Sequence, residues 1–528
     1  MKFAKGLYVC GLVSSVSCLP AVHDSRSSQS VAKIGFNKVY GKSFSEATAD
    51  RKYVNLFRNK NISDDNDEVA LQNNANTYYS VNISLGTPGQ NMTIQLDTGS
   101  SDLWVIKPGG LQCTDNDTNL FKKRSENDND NDAISSFISQ LESYEGSFST
   151  LFGPGPGSVG TPTGTISSSM PAPTGNGSYD GGDSDSDGSN NCNATAFFEA
   201  DNSKTFHRNR TDPYYIQYED LSYASGYWGT DDLQLGDLQV HNVSFAVAND
   251  TNSTTPVFGI GFPGGESSFA SVGPEYRAAH PHEYANFPQT LKNQGIIQRV
   301  AYSLYLNSPN STYGNVLFGG VDHSQYQGQL YTLPILQLGN LTSDGDPYNT
   351  LAITLQGVSV TRRGSKHKVK TKPIPVVLDS GTTAMYLPYK LAKSIASRYH
   401  GILGPEDQGY IIDCPKSGDN DYITFDFGGV TIKTDIRNYI FEQSENKCLL
   451  GIIPNSDILA VFGDVFLTDA YVVYDLEGKE ISLAQASFNS SSEQIEAITS
   501  SGVPGAKRAP GYSKTWKVVH SSQASALH

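Results

Sequence analysis

A repeat shared by the two halves of the chain is the strongest constraint on its fold. Residues 93–105 read TIQLDTGSSDLWV and residues 375–387 read PVVLDSGTTAMYL. Each copy is a hydrophobic run ending in an aspartate, a hydroxyl residue and a glycine: Asp97-Thr98-Gly99-Ser100 and Asp379-Ser380-Gly381-Thr382. Each has a downstream hydrophobic-hydrophobic-glycine element, Val257-Phe258-Gly259 and Val461-Phe462-Gly463. A carboxylate at the end of a buried strand is costly unless it is hydrogen-bonded or paired. One copy alone reads as a capped β-turn. Two copies in duplicated surroundings predict two like lobes, each delivering one carboxylate to a shared site.

The intervening text suits β structure. YYSVNISLGTPGQNMTIQLDTG (78–99) alternates with period two, and 50 glycines and 25 prolines punctuate short runs of this kind. Helical patterns are few, and two short ones stand out, FPQTLKNQGII (287–297) and YKLAKSIASRY (389–399). The fold class is therefore mostly β. The net charge of −16 argues against nucleic acid and anionic membranes as partners, and suits a protein that stays soluble in acid or that attracts basic substrates.

The N-terminus, MKFAKGLYVCGLVSSVSCLPA, places two lysines before an apolar stretch and a small-residue exit, so residues 1–20 read as a secretory signal. No later run approaches the roughly 18 apolar residues of a membrane span. The final KTWKVVHSSQASALH lacks the apolar tail of a lipid-anchor signal. Export to the extracellular space, periplasm or cell wall, with release rather than anchoring, is expected. Cys10 and Cys18 leave with the signal, and Cys113, Cys192, Cys414 and Cys448 remain. Sequence order favours the pairs 113–192 and 414–448. Thirteen Asn-x-Ser/Thr sites fit a glycosylated surface.

Residues 21–60 read as a basic propeptide: between 22 and 60, eight cations stand against three carboxylates. Such a leader can plug an acidic groove and loosen when acid protonates the groove. Residues 114–191, with twelve acidic and three basic residues, read as a disordered acidic loop closed by Cys113 and Cys192. Within it, Lys122-Lys123-Arg124 reads as a processing site whose cleavage would leave two disulfide-linked chains. Residues 362–372, RRGSKHKVKTK, read as a solvated hairpin tip. The segment 487–528 reads as a polar tail with a trimming site at Lys507-Arg508.

With both Asp-x-Gly motifs in view, residues 75–486 resemble the pepsin-type aspartic proteases. AYSLYLNS, GNVLFGGVDHSQYQGQLYTLPI and FGDVFLTDAYVVYDLEGKEISLAQA are similar to fungal members, the yapsins above all, with candidapepsins and barrierpepsin as near relations. The resemblance implies a bilobal fold of two β-barrel-like lobes, 61–295 and 296–486, with the active-site cleft between them. It implies an aspartic-type endopeptidase with no cofactor and no metal, acting on peptides or proteins, and a monomer. Asp97 and Asp379 would be catalytic. Thr98 and Ser380 would tie the two loops, Gly99 and Gly381 would admit backbone N–H groups, and Ser100 and Thr382 would hold the outer carboxylate oxygens.

The resemblance also implies a flap carrying Tyr218, backed by Trp104. The family's glycine-rich flap tip here reads Tyr218-Glu219-Asp220-Leu221-Ser222. An acid matching Asp220 goes, in fungal relatives, with acceptance of Lys or Arg before the scissile bond. A partly desolvated carboxylate beside the pocket gives the same expectation. Processing or shedding of secreted and cell-wall proteins at mono- or dibasic sites is the leading reading. Degradation of a peptide pheromone is the alternative; a pepsin-fold glycoprotein without catalysis is disfavoured by the presence of both motifs and the flap tyrosine.

Overall fold

Alternation between apolar and polar residues is converted directly into strands in a computed structural model of the chain. It describes residues 30–40, 77–111, 197–218, 222–268, 284–338, 348–404, 409–416, 418–444, 446–455, 459–488, 490 and 492–517. Strand β1 (Ala32–Tyr40) buries Ala32, Ile34, Phe36 and Lys38 and turns Lys33 and Asn37 outward. Strands β2 (Thr77–Leu85) and β3 (Gln90–Asp97) form an antiparallel pair, with Asn82 opposite Thr93. One face of β3 sends Met92, Ile94 and Leu96 into the core; the other carries Thr93, Gln95 and Asp97.

The N-terminal lobe continues through β4 (Trp104–Ile106), β5 (His207–Gln217), β6 (Tyr223–Leu235), β7 (Leu238–Thr251) and β8 (Val257–Gly259). Strand β8 runs parallel to β3, pairing Leu96 with Phe258 and Asp97 with Gly259. Helix α1 (Phe287–Asn293) follows, capped by the Asn286 side chain and started by Pro288 in its first turn.

In the C-terminal lobe, β9 (Ala301–Tyr305), β10 (Tyr313–Phe318), β11 (Gly320–Asp322) and β12 (Tyr326–Pro334) precede β13 (Ala352–Leu355), β14 (Gly357–Arg362), β15 (Ser365–Val369), β16 (Ile374–Leu378) and β17 (Met385–Pro388). After helix α2 (Tyr389–Ala396) come β18 (Ile402–Leu403), β19 (Tyr410–Asp413), β20 (Tyr422–Asp426), β21 (Thr431–Asp435), β22 (Ile440–Ser444), β23 (Lys447–Leu450), β24 (Ile452–Asn455) and β25 (Ala460–Phe462). The short helix α3 (Asp464–Leu467), β26 (Ala470–Asp475), β27 (Glu480–Ala486), β28 (Ile495–Ala497) and β29 (Lys507–Arg508) complete the order.

The duplication is visible in the pairing. Strand β16 runs parallel to β25, with Leu378 beside Phe462, as β3 runs beside β8. The hairpin β14–β15, turning at Arg363-Gly364, accounts for the basic segment 362–372. A single sheet joins the lobes: β12, β27, β26, β9 and β10 lie on one side, β2, β6, β7 and β4 on the other. Strand β1 sits between β10 and β2 and pairs with both. The described part of the leader, residues 30–40, is therefore a strand at the lobe junction; the rest of the basic segment read as a plug lies outside the described residues.

The tail differs from its reading as a merely polar appendage. Strand β28 pairs with β11, and β29 runs parallel to β12, so Lys507-Arg508 lies within a strand. Ile498 is fully buried beside Val321, Leu330 and Tyr471, and Ala509 is buried too. Cys414 and Cys448 are disulfide-bonded. Cys113, Cys192 and Lys122-Lys123-Arg124 lie outside the described residues. No helix among the described residues is long and apolar enough to cross a membrane.

Two stability predictions follow from this packing. Replacing fully buried Ile498 by Ala removes apolar area and leaves a cavity, at a cost of about 2–4 kcal/mol. A thermal midpoint within a degree of wild type would show that the tail does not contribute to the fold. The second concerns Asp469, whose carboxylate accepts from the Asp435 N–H (3.2 Å) and the Asn438 amide (2.7 Å). Burial pushes its pKa up to about 7. The native state therefore holds a proton that the unfolded chain has released between about pH 4 and pH 7, and stability falls as pH rises through that window. Asp469→Asn should flatten this slope, read as the thermal midpoint from pH 4 to 7; an unchanged slope refutes the assignment.

Candidate active site

Both Asp-x-Gly loops emerge at the lobe junction and reach across it. The Thr98 N–H donates to Ser380 Oγ (3.2 Å) and the Ser380 N–H donates to Thr98 Oγ1 (2.9 Å). Thr98 Oγ1 donates in turn to Leu378 O (3.1 Å), and Ser380 Oγ donates to Leu96 O (3.3 Å). Each hydroxyl thus ends against the strand that delivers the opposite aspartate. Thr98 and Ser380 are both buried, so these four bonds are shielded from competing water.

The carboxylates are held in matching ways. The Gly99 N–H donates to Asp97 Oδ1 and the Gly381 N–H to Asp379 Oδ1, both at 2.7 Å. Ser100 Oγ donates to Asp97 Oδ2, and Thr382 Oγ1 donates to Asp379 Oδ2 at 2.5 Å. The glycines have a second reason to lack side chains. A Cβ on Gly99 would stand 2.4 Å from Asp379 Oδ1, and one on Gly381 would stand 2.4 Å from Asp97 Oδ1. Each loop's glycine lets the carboxylate of the other lobe come close.

Asp97 is buried whereas Asp379 is partly exposed. Burial first, and then the charge of Asp379, pushes the Asp97 carboxyl well above the usual carboxylate range; the Ser100 hydroxyl and Gly99 N–H pull the other way. Two carboxylates this close cannot both ionise readily. The charge of Asp379 thus favours the protonated form of Asp97.

Over the site, β5 and β6 form a hairpin in which Gln217 pairs with Tyr223, and the Tyr218 N–H donates to Ser222 O (2.8 Å). Trp104 Nε1 donates to Tyr218 Oη (2.8 Å). The tyrosine's pKa is raised by burial and then by Asp97, which puts it within electrostatic reach of the dyad. Glu219 and Asp220 lie outside the described residues.

Four residues escaped the sequence reading. Gln95 shares its strand face with Asp97 and donates across the junction to Gly381 O (3.4 Å). Tyr474 Oη donates to Leu378 O (3.3 Å) from beneath the second loop. Asp102, fully buried, accepts from the Ser267 N–H (2.9 Å) and from the Tyr284 hydroxyl. Asp464 is the fourth. Its N–H donates to Thr382 O (2.9 Å), yet neither carboxylate oxygen has a hydrogen-bond partner among the described residues. Burial first, and then Asp379, raise its pKa well above the usual range, while Lys38 on β1 opposes them. Burial in turn lowers the Lys38 ammonium to about 8, against the pull of Asp464. Asp102 stood in plain view inside SSDLW; nothing in GDVF marked Asp464 as the carboxylate beside the dyad.

Comparison with known proteins agrees with this geometry. The eukaryotic aspartyl protease family model matches residues 78–486. Aspartic proteinase 3 of Saccharomyces cerevisiae is 39% identical over 504 residues, covering 94% of this chain and 85% of the relative. Aspartic proteinase yapsin-3 of the same yeast is 34% identical, covering 90% and 80%. Secreted aspartic protease 9 of Candida albicans is 32% identical, covering 81% and 80%. Two lobes, one carboxylate from each and a tyrosine-bearing flap are what the matched residues build: the chain belongs to the eukaryotic aspartyl proteases and is a yapsin-like aspartic-type endopeptidase.

Proposed function

We propose that this endopeptidase is exported by residues 1–20, held as a zymogen by a leader within 21–60, and cuts secreted and cell-wall proteins after Lys or Arg. The observation that carries the specificity is the flap: Glu219 and Asp220 directly follow Tyr218, whose hydroxyl is bound by Trp104. Two acids following the flap tyrosine in sequence give the expectation of pairing with a cationic substrate side chain where water is excluded. The chain's net charge of −16 favours the approach of basic substrates. Similarity to a secreted aspartic protease, the sequons and the disulfide support the extracellular setting.

The hydrolytic step uses the shared proton. The ionised member of the Asp97/Asp379 pair removes a proton from a water held between the carboxyls, and that water attacks the scissile carbonyl carbon. The protonated member donates to the carbonyl oxygen, offsetting the negative charge that develops there. The proton taken from water then goes to the amine nitrogen as the C–N bond breaks, and a hydroxyl of the collapsing gem-diol returns a proton to the carboxylate that acted as acid, which restores the pair. Ser100, Thr382 and the two glycine N–H groups keep each carboxyl in place throughout, and no covalent intermediate forms. The flap tyrosine closes the site against bulk water.

Asp97→Asn should lower kcat by on the order of 10³-fold or more, since it removes the acid–base pair, with the fold retained by circular dichroism. Residual activity within tenfold of wild type would reject the dyad. In wild type, activity should fall as pH rises through the upper macroscopic pKa of the pair, because the shared proton is then lost. For specificity, a peptide library cleaved at about pH 4–5 should show Lys or Arg before the cut. Preference for Phe or Leu at that position would sink the basic-site reading while leaving the protease assignment intact.

A further inference from the structure

The tail supplies a candidate for substrate recognition beside Asp379. Strand β16 alternates strictly: Val376 and Leu378 enter the main core, whereas Val377 belongs to a separate cluster on the opposite face. Asp379, two residues on, continues the Val377 face, about 7 Å further along the strand. On the neighbouring strand β13, Ala352 lies opposite Val377 and shares its cluster, while Ile353 and Leu355 enter the core. Val377, Ala352, Leu336 and Leu338 thus form an apolar shelf on the face of the C-terminal lobe that carries the catalytic aspartate. Trp516 and Leu459, both partly buried, pack against that shelf.

Trp516 is held there by a series of contacts along the tail. Ile498 is buried beside Val321, and β29 extends the edge of β12. Gly511 passes so close to Gly428 that a Cβ on it would lie 2.7 Å from Gly428 Cα. Tyr512 Oη donates to Glu480 (2.6 Å), Gln356 Nε2 donates to Lys514 O, and the Trp516 N–H donates to Thr354 Oγ1 (2.8 Å). Thr354 lies on β13, opposite Pro375 of β16. The indole is therefore placed by two adjacent strands, one of which, β16, ends one residue before Asp379.

We propose that Trp516 is a specificity-determining residue: it extends the C-terminal-lobe wall of the cleft and receives an apolar side chain of the substrate near the scissile bond. A half-buried tryptophan anchored at its own backbone offers a large rigid surface at little further entropic cost. This gives Lys507-Arg508 a consequence as well. While β29 is paired, that dipeptide is held in a strand; a cut after Arg508 would sever the segment carrying Trp516 from the rest of the tail. A full-length enzyme and a trimmed one would then differ in preference at one substrate position and share the same dyad.

Quenched fluorescent peptides with a fixed cleavage site, each flanking position varied among Ala, Leu, Phe and Trp, test this. Trp516→Ala should raise KM about tenfold for peptides with a large apolar residue at one particular position and leave their Ala counterparts within twofold. A chain ending at Arg508 should show the same selective loss. If Trp516→Ala proves unstable, Trp516→Leu keeps the shelf covered and must still change the rank order of residues at that position. An equal loss across all peptides, or an unchanged rank order in Trp516→Leu and in the shortened chain, would mean that Trp516 only covers the shelf, and overturns the proposal.

Discussion

The repulsion between two carboxylates is the constraint around which this molecule is built. Two unit charges 4 Å apart repel by about 4 kcal/mol at an effective dielectric of 20, a large fraction of a typical protein's net stability. Sharing a proton removes most of that repulsion and also makes the pair an acid and a base at once. Such a pair serves only if its geometry is maintained against the tendency to separate. The reciprocal bonds of Thr98 and Ser380 do this, because each loop is tied to the other's delivering strand. Separating the lobes would break four buried hydrogen bonds, each contributing about 0.5–1.5 kcal/mol net.

The strands behind the loops follow from the same demand. A loop that must hold a charge in position needs a rigid base, and each is set on a strand paired in parallel to a short partner, β3 on β8, which ends in Gly259, and β16 on β25, which Gly463 follows. In each lobe that glycine lies tight against the backbone beyond the aspartate loop: a Cβ on Gly259 would stand 2.6 Å from Asp102 N, and one on Gly463 would stand 2.2 Å from Thr382 O. The duplicated glycines are therefore packing requirements, distinct from those of Gly99 and Gly381, which leave room for the opposite carboxylate.

These features were legible because they repeat. Leu-Asp-(Thr/Ser)-Gly occurs twice with like surroundings, and period-two alternation marks β2 and β3. Both helical stretches also appear where periodicity places them. What was obscured had physical reasons. In β1 the inward set is Ala32, Ile34, Phe36 and Lys38, and a lysine on the core face breaks the apolar pattern while adding to the basic count that suggested a plug. In the tail, burial falls on isolated residues such as Ile498 and Ala509 among Ser, Gly and Pro, and β29 has two residues, too few to show a period. Asp464 was hidden because burial beside a charge is a property of the packed state alone.

The segments that were hardest to read lie outside the duplicated unit, and that has a common cause. Two lobes related by duplication leave unpaired strand edges where they meet and where each sheet ends, and an unpaired edge invites foreign pairing. Strand β1 fills the gap between β10 and β2, and β28 and β29 pair with β11 and the outer side of β12. Because neither segment carries a carboxylate of the Asp97/Asp379 pair, its sequence can vary without disturbing that pair. Lys38 reaches the electrostatic neighbourhood of Asp464 from one such segment, and Trp516 reaches the apolar shelf on β13 and β16 from the other. The duplicated core sets the reaction, and the added strands bring residues to its margins, where a protease of fixed chemistry can be made selective.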